Sequence, residues 1–507
     1  IAGVAGLGPD VAALRASLVG AGLVLVAWNA LLLRARWSRA RGLAYTVELR
    51  PQHYMQVLVQ ASIYAYWGWQ LTIPLVRDHI PLLLAQIAFA YGFDLLLSWT
   101  RRGHYTLGFG PGPVVLSINL FLWFKPEYFY LQWVLVAAGF TAKELLRWTR
   151  EGRKVHIFNP SSFPLAIMSI GLIAFGATNI SWGPLIAQTE SVPPNMFLLL
   201  FVLALPAQLL FGVSATAMAA AVTTYLLGQL FLHVTGTYFF LDTAIPVPVF
   251  IGMLLLVTDP ATSPRTELGR IIFGALYGVT TMILYQVLLS ADVPSFYDKL
   301  LQVPLLNLSV RAFDRWATGP LSVIDPQKLG RGLHPRWRYV AYTGVWCAAF
   351  AWMTGTRALG DHHPGQFWPY WIGKCEEGNA RACAYLAVVD QQMCGVGSGW
   401  ACNEAGVLGA RSSWGLSARA DVTRRANLFR AGCDRGFRPA CDNHVHYIGA
   451  PIDFERGDPT PADYQVLLRG SRRWSIPAST PAQLYARACA QGWPHTCELA
   501  GGTTSPP

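Results

Sequence analysis

The chain has 507 residues, of which 53% are hydrophobic and only 13% are charged, and its mean hydropathy is +0.33. Soluble domains carry about a quarter charged residues, so this composition excludes an ordinary soluble protein and predicts one that needs lipid. The net charge of +11 does not predict a nucleic-acid partner, because the arginines gather in short loops between apolar runs, as in cytoplasmic loops of membrane proteins.

Apolar runs recur from the amino-terminal region to residue 356. A bilayer core takes about 20 apolar residues per helix. Clear candidate spans are 11–33, 55–76, 80–99, 128–147, 161–178, 195–212, 213–233, 271–289 and 339–356, and two shorter ones are 113–124 and 243–258. The predicted fold class is all-α, a polytopic α-helical membrane bundle of about 11–12 spans.

Basic clusters predict the orientation of these spans. They follow the first, third and fifth spans: Arg34, Arg36, Arg39 and Arg41; Arg101 and Arg102; Arg147, Arg150, Arg153 and Lys154. Since such loops stay in the cytoplasm, the amino terminus is expected outside and the protein in the bacterial inner (cytoplasmic) membrane, in contact with membrane lipid.

The basic loop at 290–338 conflicts with an eleven-span count, which would place it outside. One more crossing at 296–313 removes the conflict and also places the cysteine-rich tail outside. Its polar residues Gln302, Pro304 and Asn307 are tolerated if the helix faces other helices. The alternative is an interfacial amphipathic helix at 296–313 with a re-entrant 243–258.

Eight of the nine cysteines follow residue 370 and form four pairs of one spacing: Cys375/Cys383, Cys394/Cys402, Cys433/Cys441 and Cys489/Cys497. Each pair has Gly three residues after its first Cys. Zinc ligands are usually two to four residues apart, so the spacing argues against metal. A helix that ends at the first Cys, turns at the Gly and restarts at the second brings the sulfurs together, which predicts four disulfides in an oxidising compartment.

These residues resemble the cysteine-rich members of the Sel-like repeat family, αα hairpins of tetratricopeptide type, over about 365–502. The pairs are irregularly spaced, which requires a shortened unit and an insertion near 443–478. The resemblance implies a disulfide-rich αα-hairpin repeat domain that docks an extracytoplasmic protein and is not an enzyme. The ninth cysteine, Cys347, is expected to be a plain buried thiol in the last span.

Two polar segments at span ends form the candidate site, HIFNPSSF (156–163) and TDPATSP (258–264). In each, a capping-type residue precedes proline, Asn159 in the first and Ser263 in the second, so each is expected to open a helix. Two helix amino termini at one membrane face would suit a phosphate, or a flavin ring or quinone that gains negative charge on reduction. The alternative is that both are merely caps with turn prolines.

HIFNPSSF, followed about 100 residues later by LLLVTDPATSPRTELGRIIFGALYGV, resembles two related membrane proteins: RnfD of the Rnf electron-transport complex and NqrB of the sodium-pumping NADH:quinone oxidoreductase. The resemblance covers about Tyr45–Arg315 and implies a redox subunit of a larger membrane complex. It implies flavin, and electron transfer often coupled to sodium or proton movement. The cofactor-binding residues expected on this basis are Asn159, Ser161, Ser162, Asp259, Thr262 and Ser263.

The sequence departs from that family where flavin is attached. Family members bind FMN through a threonine in an S/T-G-A-T-like motif of a long extracytoplasmic loop, but the corresponding loop, 179–194, is short and lacks it. The string 214–217 (SATA) contains Thr216 but no glycine, and Thr189 is no better. Non-covalent FMN, riboflavin or a quinone is therefore one hypothesis. The rival is a flavin-free accessory or scaffold subunit.

Other polar residues carry weaker hypotheses. His53, His104, His156 and His233 lie near span ends and could form a bis-His haem site, although interfacial histidines are the simpler interpretation. Asp94, Lys143 and Glu144 are ionisable residues within or near the end of spans, and such residues are functional candidates. Asp94 is five residues from the end of its span at Trp99, so a side chain that reaches the interface is an equal interpretation. His362 and His363 follow the last span and could bind metal, but a solvated linker is the simpler interpretation. No catalytic residue and no metal ligand is predicted.

The predicted domain organisation has four parts. Residues 1–44 form an extra transmembrane helix with a basic loop, and 45–315 the membrane domain with the two motifs. Residues 316–364 form a cytoplasmic loop, the last transmembrane helix and a linker. Residues 365–507 form the extracytoplasmic repeat domain.

Overall fold

The computed structural model describes residues 10–39, 42–69, 74–150, 152–191, 193–291, 293–324, 326, 334–366, 368–395, 399, 401–403, 405–406, 418–435, 440 and 444. The chain divides into two compact units. The first comprises residues 1–225 and 245–353, and the second 226–244 and 354–507.

Helices make up most of the described chain. They are α1 (Asp10–Arg39), α2 (Pro51–Trp69), α3 (Pro74–Arg102), α4 (Pro111–Asn119), α5 (Tyr130–Leu145), α6 (Ser162–Ala174), α7 (Gly183–Glu190), α8 (Met196–Phe211), α9 (Ser214–Thr235), α10 (Val247–Ile251), α11 (Glu267–Ser290), α12 (Asp298–Thr318), α13 (Pro335–Gly355), α14 (Trp368–Glu376), α15 (Ala380–Gly395) and α16 (Ala418–Asp434). A π-helical turn, Gly252–Leu256, continues α10. The mostly helical prediction is confirmed.

In the part of the chain that the structure describes, four helices are long and apolar enough to cross a membrane. They are Ala12–Arg36, Val76–Arg102, Ser214–Thr235 and Glu267–Ser290. The helix predicted at 296–313 also forms, as α12. The predicted boundary at residue 76 is wrong, because α3 already begins at Pro74, and proline favours the first turn of a helix.

The same succession of helix lengths occurs twice along the chain. Helices α2 and α3 are followed by the short α4 and then by α5 and α6, and helices α8 and α9 are followed by the short α10 and then by α11 and α12. A Pro-x-Pro sequence marks the start of each short helix, beginning at Pro111 in α4 and at Pro246, the residue just before α10. Every residue of α4 and of 247–256 is buried. The two short helices therefore lie in the core of the unit.

The backbone that leaves α4 is held by buried amides. The side chain of Asn119 exchanges hydrogen bonds with Gln86 and lies 3.0 Å from His79 Nε2. Gln132 donates to the carbonyl of Leu122 (3.1 Å) and accepts from the N–H of Phe124 (3.3 Å). Non-helical backbone buried in a protein needs such partners, so these side chains make the break after α4 possible.

Two short sheets are additions to the predicted all-α fold. Strand β1 (Ala44–Val47) pairs in parallel with β2 (His104–Leu107), with Ala44 opposite His104. Strands β3 (Arg147–Arg150) and β4 (Arg153–His156) form an antiparallel hairpin. Gly152 lies in the hairpin turn at φ +75°, a conformation that favours glycine. The hairpin leads directly into the HIFNPSSF segment, whose His156 is the last residue of β4.

In the second unit, α14 and α15 are joined by a tight turn and a disulfide. The turn has Gly378 at φ +88°, and its N–H donates to the carbonyl of Cys375 (3.0 Å). Cys375 is bonded to Cys383, and Cys394 to Cys402, with Cα atoms 4.6 Å apart in both pairs. Two predicted disulfides are therefore present. Cys441, Cys489 and Cys497 lie outside the described residues, and Cys347 is a half-buried free thiol.

The second unit also contains residues 226–244, which the sequence did not associate with the tail. Arg381 donates to the carbonyl of Phe239 (2.8 Å), and Asn379 to the carbonyl of Thr235 (2.8 Å). Arg381 also lies over the rings of Phe231, Phe239 and Tyr385. These contacts bind the segment to α15 and to the turn that precedes it.

We expect the cysteine pairs to be oxidised in protein isolated from cells and to stabilise the fold. Each disulfide closes a loop of eight residues along the chain, which is worth about 2 to 3 kcal/mol in the chain-entropy account. Mass mapping of peptides under non-reducing conditions should find Cys375 with Cys383 and Cys394 with Cys402. Free thiols at these positions in protein isolated from cells would contradict the pairing.

Candidate functional site

The two predicted segments line one cavity of about 420 Å³ in the first unit. The first contributes Asn159, Pro160 and Ser161, and the second Asp259, Pro260 and Ala261. The remaining wall comes from the start of α2, the ends of α3 and α5, β2, β4 and the start of α4. The segments therefore come together in space although they are about 100 residues apart.

Asn159 organises the first segment. Its Oδ1 accepts hydrogen bonds from the N–H of Ser161 (2.9 Å), the N–H of Ser162 (3.2 Å) and the hydroxyl of Ser161 (2.7 Å). These bonds satisfy amides in the turn that leads into α6, but the helix begins at Ser162 and the residue directly before it is Ser161, two positions later than the predicted cap at Asn159. Its Nδ2 donates to the carbonyl of Leu256 (3.1 Å), which leads to the second segment.

Asp259 organises the second segment through its own turn. Its carboxylate accepts hydrogen bonds from the N–H of Ala261 (3.0 Å) and from the hydroxyl of Thr262 (2.9 Å). His156 Nε2 lies 3.8 Å away. Burial by itself raises the pKa of Asp259, but His156, Ala261 and Thr262 outweigh it and hold the pKa below its ordinary value. The carboxyl is therefore ionised at neutral pH.

Three of the predicted residues do not line the cavity. Ser162 is fully buried and its N–H bonds to Asn159, while the Thr262 hydroxyl bonds to Asp259. The hydroxyl of Ser263 donates to the carbonyls of Val257 (2.9 Å) and Asp259 (2.7 Å). These side chains hold the two turns in shape, whereas Asn159, Ser161 and Asp259 lie on the wall of the cavity.

The helix after the second segment is capped by a different residue than predicted. The sequence placed the cap at Ser263, but α11 begins at Glu267 and its cap is Thr266, whose hydroxyl oxygen accepts from the N–H of Gly269 (3.1 Å). Asp314 on α12 accepts from the N–H groups of Arg265 (2.9 Å) and Thr266 (3.0 Å). The Ser263 prediction is wrong because the hydroxyl of Ser263 is used inside the turn.

A residue that sequence reasoning did not assign to the site joins the two segments. Asn307 on α12 accepts from the N–H of Asn159 (3.2 Å) and donates to the carbonyl of Thr262 (3.2 Å). It is almost fully buried. The sequence marked Asn307 only as a polar residue in an apolar helix. A buried amide in such a helix was the available signal, but it does not identify the partners.

Charged residues form much of the remaining wall. Glu144 lies between Arg102 (3.1 Å) and Arg147 (2.7 Å), and Arg50 pairs with Glu48 (2.9 Å). Asp94 and the lysines at 143 and 154 also line the cavity. The cavity is therefore polar and suits a ligand with hydrogen-bonding or charged groups rather than an apolar one.

The histidines considered in the sequence analysis lie in different parts of the protein. His53 and His156 line the cavity. His104 lies in β2, where its Nε2 is 3.4 Å from the hydroxyl of Thr46. His363 is buried in the second unit rather than solvated as predicted, because its Nδ1 accepts from the N–H of Gly365 (3.1 Å).

Neither of the threonines considered for covalent flavin lines the cavity. Thr216 has no exposed surface, and its helix packs closely at Gly274, next to the Thr216 carbonyl. The hydroxyl of Thr189 donates to the carbonyl of Ile186 (2.9 Å). A flavin phosphate has no space at Thr216.

Comparison of the chain with models of protein families, with curated proteins and with solved structures gave no match. The class that the structure defines is a mostly helical protein with four candidate membrane-spanning helices and a disulfide-bonded second unit. The features of the molecule that bear on its function are the polar cavity and the two segments that line it.

Proposed function

We propose that this chain is an electron-transport subunit of RnfD and NqrB type, whose polar cavity binds a flavin or a quinone without a covalent bond. The observation that carries the proposal is that HIFNPSSF and TDPATSP, the two segments of the family resemblance, line one cavity of about 420 Å³. Ligand sites commonly have volumes of about 300 to 1,000 Å³, so this cavity has room for one small molecule.

The residues on the wall fit the polar part of such a ligand. The Asp259 carboxylate still has lone pairs beyond those used by Ala261 and Thr262, so it can accept a hydrogen bond from a ring N–H. Arg102 and Arg147 share a single carboxylate, Glu144, and leave positive charge beside the cavity. That charge would stabilise a ligand that becomes more negative on reduction. A bound flavin or quinone would supply the electron chemistry itself.

The proposed setting is the bacterial inner membrane, with other subunits of a membrane complex as partners. Four apolar helices support membrane insertion, and the basic loops support a cytoplasmic cavity. Disulfides persist in oxidising compartments, which supports an extracytoplasmic second unit. We further propose that the Sel-like repeats of this unit dock a protein.

The second candidate function is a flavin-free scaffold subunit that keeps the fold and docks a larger assembly. One observation favours it. The Asp259 carboxylate already accepts hydrogen bonds from the N–H of Ala261 and the hydroxyl of Thr262, two groups of the same turn. Such a turn is stable without any ligand. The cavity beside the turn favours the redox function instead.

The test of the redox function is the absorbance spectrum of the purified full chain, followed by acid release and identification of any flavin or quinone. We expect a released cofactor in the wild type and about tenfold weaker retention in Asp259→Asn, because the amide keeps an acceptor for Ala261 but loses the charge. The control is Asp78→Asn, an exposed carboxylate on α3 outside the cavity. Protein that binds neither cofactor, even after incubation with both, would support the scaffold function.

A further inference from the structure

Two helix ends meet at one end of the first unit. Asp314, near the end of α12, accepts a hydrogen bond from the N–H of Thr266, the cap of α11 (3.0 Å). Glu267, the first residue of α11, pairs with Arg338 near the start of α13 (2.8 Å). The end of α12 and the start of α13 therefore both contact the start of α11, which is one of the four helices long and apolar enough to cross a membrane.

Large apolar side chains are exposed at this end of the unit. Trp316 is 49% exposed and Trp337 67%. Val323 and Ile324, in the turn that follows α12, are 79% and 57% exposed. All four lie beyond the apolar spans predicted at 296–313 and 339–356, where the chain would leave the hydrocarbon layer. Exposed apolar patches mark interaction surfaces, and tryptophan is enriched where a bilayer meets water, so these side chains fit a membrane interface.

The exposed charges beside these side chains are positive. Asp314 and Glu267 are engaged within the unit, since Asp314 bonds to Arg150 (2.6 Å) and Glu267 is only 2% exposed. Arg315 and Arg336 are exposed, and within the described ranges neither guanidinium has an ion-pair or hydrogen-bond partner. Each of these two arginines directly precedes one of the exposed tryptophans in the sequence. Unpaired positive charge and apolar surface therefore occur together.

We propose that this Arg–Trp surface binds an anionic phospholipid of the membrane that the protein spans. It consists of Arg315, Trp316, Val323, Ile324, Arg336 and Trp337. Guanidinium groups form paired hydrogen bonds with phosphate oxygens, and the indole rings and aliphatic side chains pack against the glycerol and the first part of the acyl chains.

A lipid is the occupant that matches both properties of the surface. Free phosphate would pair with the arginines but leave the apolar side chains in water, and a zwitterionic lipid would supply acyl chains without net negative charge. Anionic lipids attract basic segments at the cytoplasmic leaflet, where the basic loop at 290–338 is expected. None of the six residues lines the polar cavity, so the proposal is independent of the redox function.

The test follows thermal unfolding of the purified full chain in a neutral detergent while phosphatidylglycerol or phosphatidylcholine with the same acyl chains is added. A lipid that binds the folded state raises the midpoint. We expect phosphatidylglycerol to reach its half-maximal effect at a concentration at least about tenfold lower. The double variant Arg315→Gln/Arg336→Gln should bring the two lipids within about twofold of each other. Arg15→Gln, which removes an exposed arginine near the start of α1, is the matched control and should keep the difference.

Two further variants separate the charge from the apolar surface. Arg315→Lys/Arg336→Lys keeps the charge and should retain a preference for phosphatidylglycerol. Trp316→Ala/Trp337→Ala should weaken the effect of both lipids, because the apolar contact serves either one. Without lipid, the double glutamine variant should unfold at the wild-type midpoint, since both arginine side chains are exposed. If it unfolds earlier, the wild type decides, because its preference for phosphatidylglycerol must fall as salt is added.

Three results would overturn the proposal. Equal effects of the two lipids on the wild type would show that the surface does not select anionic lipid. An unchanged preference in the double glutamine variant would place the lipid elsewhere and leave the surface to an acidic protein. Stabilisation of the wild type by glycerol phosphate as strong as that by phosphatidylglycerol would identify a soluble phosphate compound, and not a lipid, as the ligand.

Discussion

Replacing Asp314 by alanine is expected to lower the free energy of unfolding by about 2 to 4 kcal/mol. Its carboxylate bonds to Arg150 (2.6 Å) and accepts from the N–H groups of Arg265 and Thr266 and from the hydroxyl of Thr266. Removing it leaves a nearly buried guanidinium without this partner and unpaired amides before α11. Chemical denaturation of the protein in detergent measures the change.

Asp314→Asn is the matched control for this prediction. Asparagine keeps an oxygen for the N–H groups of Arg265 and Thr266 but has no charge for Arg150, so it should lose about half as much stability as the alanine variant. If both variants unfold at the same denaturant concentration as the wild type, Asp314 does not hold the start of α11 against α12.

Replacing Asn159 by alanine is expected to cost about 2 to 5 kcal/mol. The side chain makes four hydrogen bonds, three through Oδ1 at the start of α6 and one from Nδ2 to the carbonyl of Leu256. All of these groups are buried, so alanine leaves them without partners rather than exposing them to water. The midpoint of thermal unfolding in detergent should fall accordingly.

Ser169→Ala is the matched control on the same helix. Ser169 is also fully buried, but its hydroxyl only adds a bond to the carbonyl of Leu165, one turn earlier in α6. Its loss should cost no more than about 1 kcal/mol. Asn159→Ala and Ser169→Ala with equal midpoints would contradict the role of Asn159 in joining the two segments.

Hydrophobicity predicted the helices well, and local motifs predicted part of the site. The apolar runs at 213–233 and 271–289 correspond to α9 and α11, because a long apolar run has few alternatives to a helix. The Gly378 turn between paired cysteines was predicted because its spacing and its glycine are both local signals. Asn159 and Asp259 line one cavity, as expected, although the second segment does not open a helix, because α11 begins only at Glu267.

Features that depend on distant partners were not predictable in the same way. Ser263 and Thr266 are both good caps in isolation, and the choice between them depends on Asp314, about 50 residues away. Asn307 joins the two segments, but its partners are set by packing rather than by a pattern in its own helix. The β3–β4 hairpin lies in a basic loop whose charges indicate orientation rather than backbone conformation.

The contacts of residues 226–244 have a consequence for how the cysteine-rich tail could be acquired or lost in evolution. The carbonyls of Thr235 and Phe239 accept from Asn379 and Arg381, and the N–H of Ala244 donates to the carbonyl of Ala358 (2.9 Å). A shortened chain ending at 353 would leave these backbone groups without partners, which is costly wherever water cannot replace them. The 226–244 segment and the start of the tail belong to one compact unit, and we expect substitutions in one to require compensating substitutions in the other.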